Sequence, residues 1–339
     1  MQTSLIMQVL NVAELAAIAA AAFNGRGDKR AADAAATEAM RQAFNDIDFA
    51  GRIVIGEGER DEAPMLFIGE ELGLGWEVYE SPKIDIAVDP LEGTNLCAYN
   101  QPNALTTIAI APRGALLFAP DTYMDKIAAG PALLDAGTLG VDHAPADNVR
   151  AVAEALDKPV SEVNVCILAR ERHADLIAAV REAGARVRLI DDGDVFGAIA
   201  TAVPGTGIDL YLGSGGSPEG VLAATGLKAI GGFFEGRFNF GVDEKADEKR
   251  ARAEQMVADA FAATGTRIDL DGVLPRDLLV AGDDAAFIAC GVTDGEMLDG
   301  VYLDPSGSVT THSLIMNAAD QTVRFIRTTH RSENGVVRF

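Results

Sequence analysis

The sequence that decides the fold is Asp85-Ile-Ala-Val-Asp-Pro-Leu-Glu-Gly-Thr94. Apolar residues alternate with small or acidic ones over residues 84–89, which predicts a strand. Because Pro90 forces a turn at its end, we expect the carboxylates of Asp89 and Glu92 to project into one small volume. Gly93 and Thr94 follow with backbone N–H groups and a hydroxyl. Such a set suits a divalent cation and a phosphate that share a site; the alternative is an Asp-Pro turn with a solvated glutamate.

Two further charged groups precede this stretch. Ile55-Gly-Glu-Gly-Glu-Arg-Asp-Glu62 follows a strand predicted over residues 52–56, and its glycines permit close approach of a ligand. Lys29 and Asp33 are four residues apart in a helix predicted over residues 28–44, so they share one helix face. Taken alone, the first group also fits a solvated acidic turn, and the second also fits a surface ion pair.

In the second half of the chain, polar loops follow predicted strands, where open α/β sheets bind ligands. These loops are Arg170-Glu-Arg-His173, Asp191-Asp-Gly-Asp194 and Gly213-Ser-Gly-Gly-Ser-Pro-Glu-Gly220. The two arginines could hold a phosphate through forked hydrogen bonds. A glycine-rich loop before a helix is typical of phosphate or nucleotide binding. Each loop also fits a plain helix start or a strand-to-helix turn.

The composition excludes several classes of function. The net charge of −23 argues against nucleic acid and against an anionic membrane as partners, because both require basic patches. The carboxylate-rich groups favour Mg²⁺ or Mn²⁺, and the scattered histidines give little support to zinc. Three dispersed cysteines favour a reducing cytoplasm. The apolar residues 5–23 are interrupted by polar side chains and predict a buried helix.

The alternation of strands and helices after residue 146 predicts the α/β class, as a layered sandwich of helices and sheets. At 339 residues the chain is long enough for two domains, which we expect to cover residues 1–145 and 146–339. We also expect a helix over residues 62–72. Residues 105–111 and 115–119 are expected to form a pair of strands.

These strings resemble one known family. Residues 89–94 carry the signature of the lithium-sensitive, metal-dependent sugar- and inositol-phosphatase superfamily. Further strings are similar to class II fructose-1,6-bisphosphatases of bacteria and cyanobacteria: Gly25-Arg-Gly-Asp-Lys29 with Asp33, Ile55-Gly-Glu-Gly-Glu-Arg-Asp-Glu-Ala-Pro-Met65, Ala119-Pro-Asp-Thr-Tyr-Met-Asp-Lys126, Asp192-Gly-Asp194 and Gly215-Gly-Ser-Pro-Glu-Gly220. The resemblance runs from about residue 5 to residue 330, and it implies the layered sugar-phosphatase fold. On this basis residues 1–145 are expected to be the metal-binding phosphatase domain and residues 146–339 the substrate-binding domain.

The resemblance also implies roles for individual residues. The implied ligands of Mn²⁺ or Mg²⁺ are Asp33, Glu57, Asp89, Glu92 and Glu219. The implied catalytic residues are Lys29, Asp61 and Thr94. The implied substrate contacts are Glu92, Gly93, Thr94, Tyr123, Arg170, Glu171, Arg172, Asp192, Gly193, Asp194 and Gly216. The chain departs from the family at Glu171, where proline is usual, and at Ser214 and Ser217, where an apolar residue and alanine are common.

The expected activity is hydrolysis of the 1-phosphate of fructose 1,6-bisphosphate, in gluconeogenesis or the Calvin cycle, by a homo-oligomer (dimer or tetramer). Residues 93–100 resemble the cyanobacterial forms, which also accept sedoheptulose 1,7-bisphosphate. The alternatives within the superfamily are an inositol monophosphatase-like enzyme and a nucleotide bisphosphatase. The alternatives from other classes are a non-catalytic nucleotide-binding module, based on residues 213–220, and an acidic interaction protein.

Overall fold

The computed structural model describes residues 1–57, 65–78, 80–134, 137–241, 245–264, 267–305 and 307–331. The α-helices in these ranges are α1 (Thr3–Ala21), α2 (Lys29–Asn45), α3 (Thr94–Ala98), α4 (Pro145–Ala155), α5 (Ala174–Glu182), α6 (Asp194–Ala200), α7 (Ser217–Ala229), α8 (Ala246–Thr264) and α9 (Arg276–Leu279). The strands are β1 (Ala50–Ile55), β2 (Glu71–Leu72), β3 (Lys83–Glu92), β4 (Leu105–Pro112), β5 (Tyr123–Ala129), β6 (Asn164–Leu168), β7 (Arg186–Ile190), β8 (Leu210–Gly216), β9 (Phe233–Asn239), β10 (Leu274–Pro275), β11 (Ala286–Gly291), β12 (Tyr302–Leu303), β13 (Val309–Asn317) and β14 (Thr322–His330).

The first compact unit contains Met1–Leu116 and Asp283–Phe339. Its mixed sheet has the order β12-β13-β11-β4-β3-β1-β2, with β14 beside β13. Helices α1 and α2 pack on one face of this sheet, where their apolar residues meet those of the central strands. β1 and β3 are parallel, with Ile53 opposite Ile86. Because parallel strands end at the same edge of a sheet, the residues after β1 lie near the end of β3.

Helix α1 confirms the buried helix predicted over residues 5–23. It is long and apolar enough to cross a membrane, but 61% of its most apolar window is buried inside the protein. The buried side chains include Leu5, Val9, Leu10 and Ala16, which pack into the core of the first unit. The helix is therefore accounted for as a core element.

The second compact unit contains Leu117–Gly282. Its sheet has the order β10-β9-β5-β8-β6-β7, in which β6 is parallel to β7 and β8 while β5 is antiparallel to β8 and β9. One face packs against α4 and α5 through residues such as Ile127, Val165 and Leu210. On the other face Tyr211 lies against Gly197 of α6. Helices on mixed sheets in both units confirm the predicted α/β layered class.

The unit boundaries differ from the division at residues 145/146 that the sequence predicts. The chain enters the second unit at Leu117 and returns to the first at Asp283. β5 lies before residue 145, yet it pairs along its whole length with β8 and β9. β11 lies far beyond residue 146, yet it pairs with β4. Strand pairing, and not the change in sequence pattern, determines where the units divide.

Three local predictions are wrong in the described residues. Residues 65–72 contain no helix and end in β2, whereas residues 62–64 of that predicted helix lie outside the described residues. Residues 115–119 form no strand. There the Leu117 N–H donates to Leu279 O at 2.8 Å. The glycine-rich loop predicted from residue 213 is instead the end of β8, because Gly213, Gly215 and Gly216 pair with β5.

Candidate metal and phosphate site

Glu57 follows β1, and Asp89 lies near the end of β3, which is parallel to β1. Gly56, between β1 and Glu57, allows a close approach that no other residue permits: a Cβ there would lie 1.9 Å from Leu66 O. The Glu57 N–H donates to the same carbonyl at 3.0 Å. The backbone that carries Glu57 is thus held against residue 66.

An irregularity within the last residues of β3 brings Asp89 and Glu92 together, where the sequence predicts a turn at Pro90. Asp89 Oδ1 accepts the Leu91 N–H at 3.0 Å, and the pairing with β4 shifts register between Asp89 and Glu92. This irregularity lets both carboxylates face one volume, with ligand oxygens within 4.8 Å of one another. Glu92 is buried and Asp89 is half-buried.

Gly93 and Thr94 connect β3 to α3. Gly93 has a φ of 83°, in the left-handed region that favours glycine. Thr94 begins the short helix α3, and its hydroxyl donates to Leu91 O at 3.1 Å. Because the proton of this hydroxyl is engaged, its oxygen is oriented to accept a hydrogen bond from a further donor.

Asp33 of α2 interacts electrostatically with Glu57, which follows β1. Burial, and after it the negative charges of Asp33 and Asp89, together raise the pKa of Glu57 to about 8. Burial also raises the pKa of Asp33. Half-buried carboxylates whose burial and neighbouring charges disfavour ionisation of Glu57 fit a hard divalent cation, which would stabilise the anions. An acidic cluster in this unit could therefore hold a metal ion.

The predicted catalytic residue Lys29 is the first residue of α2 and is exposed. Its Nζ lies 5.1 Å from the ring centroid of Tyr99. The preceding loop is fastened to α3 by the Gly25 and Gly27 N–H groups, which donate to Cys97 O and Ala98 O. Asp61, the other predicted catalytic carboxylate, lies outside the described residues.

In the second unit, the predicted arginine loop lies after β6. Arg170 donates to Asp191 O and, at 3.3 Å, to the carboxylate of Asp192. Arg172 donates to Ser214 O through Nε at 3.1 Å and Nη2 at 2.7 Å. Its guanidinium lies 4.9 Å from the ring centroid of Tyr123. The structure therefore brings Tyr123 and Arg172 together, and Arg170 with Asp192; Glu171 is exposed.

Asp192, Gly193 and Asp194 lead from β7 into α6. Gly193 has a φ of 86°. The Asp194 carboxylate is buried and accepts a hydrogen bond from Lys126 Nζ at 2.5 Å. Lys126 is missing from the predicted site residues; the signal for it is a single lysine inside the apolar strand β5.

Gly216 and Glu219 lie at the junction of β8 and α7. A Cβ on Gly216 would lie 2.0 Å from Glu219 Oε2, so only glycine leaves room for this carboxylate. Glu219 belongs to the first turn of α7, where the helix dipole favours a negative charge. Ser214, whose carbonyl binds Arg172, and His173, whose ring accepts the Ser214 N–H, are two more residues absent from the predicted site residues.

These features first define a class: layered α/β proteins with a group of carboxylates at the ends of parallel strands that could hold a metal ion. Comparison with known proteins then gives the family. Residues 3–330 match the family described as bacterial fructose-1,6-bisphosphatase, glpX-encoded. The chain belongs to this family.

Cyanobacterial relatives agree along the whole chain. The D-fructose 1,6-bisphosphatase class 2/sedoheptulose 1,7-bisphosphatase of Thermosynechococcus vestitus is 43% identical, over 96% of this chain and 95% of the relative. The D-fructose 1,6-bisphosphatase class 2/sedoheptulose 1,7-bisphosphatase 1 of Acaryochloris marina is 41% identical, over 97% of this chain and 96% of the relative. The relative in Synechococcus sp. (strain CC9605) is 42% identical, over 98% of each chain. These matches confirm the family that the sequence motifs indicate.

Proposed function

We propose that this protein is a metal-dependent phosphatase that removes the 1-phosphate of fructose 1,6-bisphosphate. The observation that carries the proposal is the group of carboxylates around Glu57, whose pKa is raised by burial and by Asp33 and Asp89, in a chain of this family. The preferred ion is Mg²⁺ or Mn²⁺, since both favour oxygen ligands.

In the first unit, Asp33, Glu57, Asp89 and Glu92 would hold the cation. When bound, the cation lowers the pKa of water and neutralises phosphate charge. The Thr94 oxygen accepts a hydrogen bond from the attacking water, because its own proton is held by Leu91 O. Lys29 contributes positive charge toward the phosphate, and Asp61 is proposed as the base from the family resemblance.

The second unit is proposed to bind the distal part of the sugar bisphosphate. Arg172 uses Nε and Nη2 for Ser214 O, and its remaining N–H groups are proposed to bind the phosphate on C6. Tyr123 stacks on the same guanidinium. Further contacts proposed from the resemblance are Arg170, Glu171, Asp192, Gly193, Asp194 and Gly216. Glu219 is proposed as the last metal ligand from the family resemblance.

Sedoheptulose 1,7-bisphosphate is proposed as a second substrate. The support is the dual name that the three relatives carry, together with the similar sequence of residues 93–100. A cytoplasmic location and a dimeric or tetrameric assembly are also proposed, from the cysteine usage and the family. The nucleotide-binding alternative has lost its main support, because residues 213–216 belong to a paired strand.

The test is phosphate release by the purified protein with Mn²⁺, with Mg²⁺ and with excess EDTA. Fructose 1,6-bisphosphate, sedoheptulose 1,7-bisphosphate and inositol 1-phosphate are offered in parallel. We expect metal-dependent release from the two sugar bisphosphates and little from inositol 1-phosphate. Preferential release from inositol 1-phosphate would favour the inositol phosphatase alternative, and no release from any substrate would refute the proposed enzyme.

A further inference from the structure

In the second unit, the neighbouring parallel strands β6 and β8 differ in how far they extend. β6 pairs with β8 at Val165 opposite Leu210 and Cys166 opposite Tyr211, and it ends at Leu168. β8 continues to Gly216. Past the end of β6, the backbone N–H and carbonyl of Ser214 form hydrogen bonds with side chains of the arginine loop.

His173 makes the first of these contacts. Its Nδ1 lies 2.8 Å from Leu168 O, and its Nε2 lies 2.8 Å from the Ser214 backbone nitrogen. A carbonyl oxygen can only accept and a backbone N–H can only donate, so Nδ1 carries the proton and Nε2 accepts. The ring is 3% exposed and covers Gly213, where a Cβ would lie 3.2 Å from Cε1.

Arg172 makes the second contact, on the carbonyl of the same residue. Its Nε and Nη2 donate to Ser214 O at 3.1 and 2.7 Å. Adjacent side chains thus bind both backbone groups of Ser214. Since Arg172 is exposed and His173 is buried, the histidine is the fixed member of the pair.

We propose that neutral His173 is a positioning residue that fixes the substrate-binding guanidinium of Arg172 against β8. This inference rests on the proposed function, because it assumes that Arg172 binds the distal phosphate. His173 itself does not touch the substrate. Its two hydrogen bonds tie the end of β6 to Ser214 and so set the distance over which Arg172 reaches Ser214 O.

The two hydrogen bonds of the His173 ring, to Leu168 O and from the Ser214 N–H, are called the clamp here. The clamp requires the neutral ring, because a proton on Nε2 would face the Ser214 N–H. The charged groups that act on His173 are Arg170 and Arg172 from its own loop and Asp125 from β5. Lys126 and His143 line the same cavity of about 300 Å³. Burial lowers the pKa of His173. The clamp is therefore closed at neutral pH and opens only in acid.

The test compares His173→Phe, which keeps a ring without hydrogen bonds, with His173→Gln, whose amide oxygen can accept the Ser214 N–H. The matched control is His143→Gln, because His143 lines the same cavity but is exposed and contacts Thr138 O. For fructose 1,6-bisphosphate with saturating metal, we expect His173→Phe to raise KM about tenfold at nearly constant kcat, as the loss of one phosphate contact would. His173→Gln should recover part of this loss, and His143→Gln should leave KM unchanged.

Two further readouts separate positioning from a general loss of structure. The rise in wild-type KM between neutral and acid pH should be larger than that in His173→Phe, which has no ring proton to gain. Without substrate, the Ser214 amide should exchange its hydrogen faster in His173→Phe than in His143→Gln. An unchanged KM in His173→Phe would overturn the proposal, whether or not kcat and stability fall. If the wild type releases no phosphate at all, the proposed function fails, while the exchange rate of Ser214 still decides whether the clamp exists.

Discussion

Glu57 is the residue whose electrostatics depend most clearly on a cation. Its pKa is raised to about 8 by burial and then by Asp33 and Asp89. Without metal, the folded protein therefore keeps a proton on Glu57 at pH values where the unfolded chain, with the ordinary value of 4.5, has lost it. The folded state binds more protons in this range, so stability must fall as pH rises.

This sign gives a testable pH dependence. In EDTA, the contribution of Glu57 to the free energy of unfolding should be largest below about pH 4.5. This contribution should decline as pH rises toward about 8. Glu57→Gln should flatten the decline, because the amide carries no charge. Urea unfolding from pH 5 to 9 measures it, with the exposed Glu154→Gln as control. Equal slopes in wild type and Glu57→Gln would contradict the assignment.

Asp89 offers the most direct test of the ligand assignment. Asp89→Asn keeps the size of the side chain and removes its charge, so metal affinity and kcat should fall by about two orders of magnitude or more while the fold survives. Calorimetric titration with Mn²⁺ and phosphate release measure the two effects. Asp175→Asn, exposed on α5, is the control. Near-normal Mn²⁺ binding in Asp89→Asn would remove Asp89 from the site.

The sequence could predict Asp89 and Glu92 as a pair because they are close neighbours in the chain, and a local irregularity of β3 brings them together. It could not predict Lys126 or His173 as partners of site residues. Lys126 meets Asp194 across 68 positions, and His173 meets Ser214 across 41. Such contacts depend on which strands become neighbours, and no local pattern encodes that.

Strand β8 shows how the same limit applies to secondary structure. Its three glycines predict a loop by propensity, yet β5 pairs with them up to Gly216. Glycine is required there by space: a Cβ on Gly215 would lie 1.8 Å from Asp194 Oδ2. Tertiary packing thus overrides propensity, and the strand delivers Glu219 directly at the start of α7.

The buried pair between β5 and α6 predicts a large loss of stability. Lys126→Met leaves the Asp194 carboxylate buried without its cation and should cost about 3–5 kcal/mol in unfolding free energy. Combining it with Asp194→Asn should recover part of this loss, because no charge remains unpaired. The matched control is Arg150→Met, whose partner Asp147 is exposed and whose loss should cost at most about 1 kcal/mol.

Urea unfolding monitored by circular dichroism measures these differences. A Lys126→Met protein as stable as the wild type would mean that the pair is not needed to hold the start of α6. A double variant less stable than Lys126→Met would mean that Asp194 acts through another partner.

For the molecule as a whole, the net charge of −23 and a phosphorylated substrate require an intermediary. Cations held by carboxylates would supply it, since they reverse the local sign of the field. The carboxylate motifs could predict this chemistry, and the alternation of strands and helices could predict the α/β class. It could not place the unit boundaries, because β4 pairs with β11 at Ile110 opposite Ala286, 176 positions later.

The central claim is that carboxylates of this chain hold a cation needed to hydrolyse the 1-phosphate of a sugar bisphosphate. The measurement that tests it most directly follows fructose 1,6-bisphosphate by ³¹P nuclear magnetic resonance, with Mn²⁺ removed before acquisition, and repeats the reaction in excess EDTA. We predict that the 1-phosphate signal is replaced by inorganic phosphate while the 6-phosphate persists, and that EDTA stops the conversion. Loss of the 6-phosphate first, or an unchanged rate in EDTA, would contradict the account.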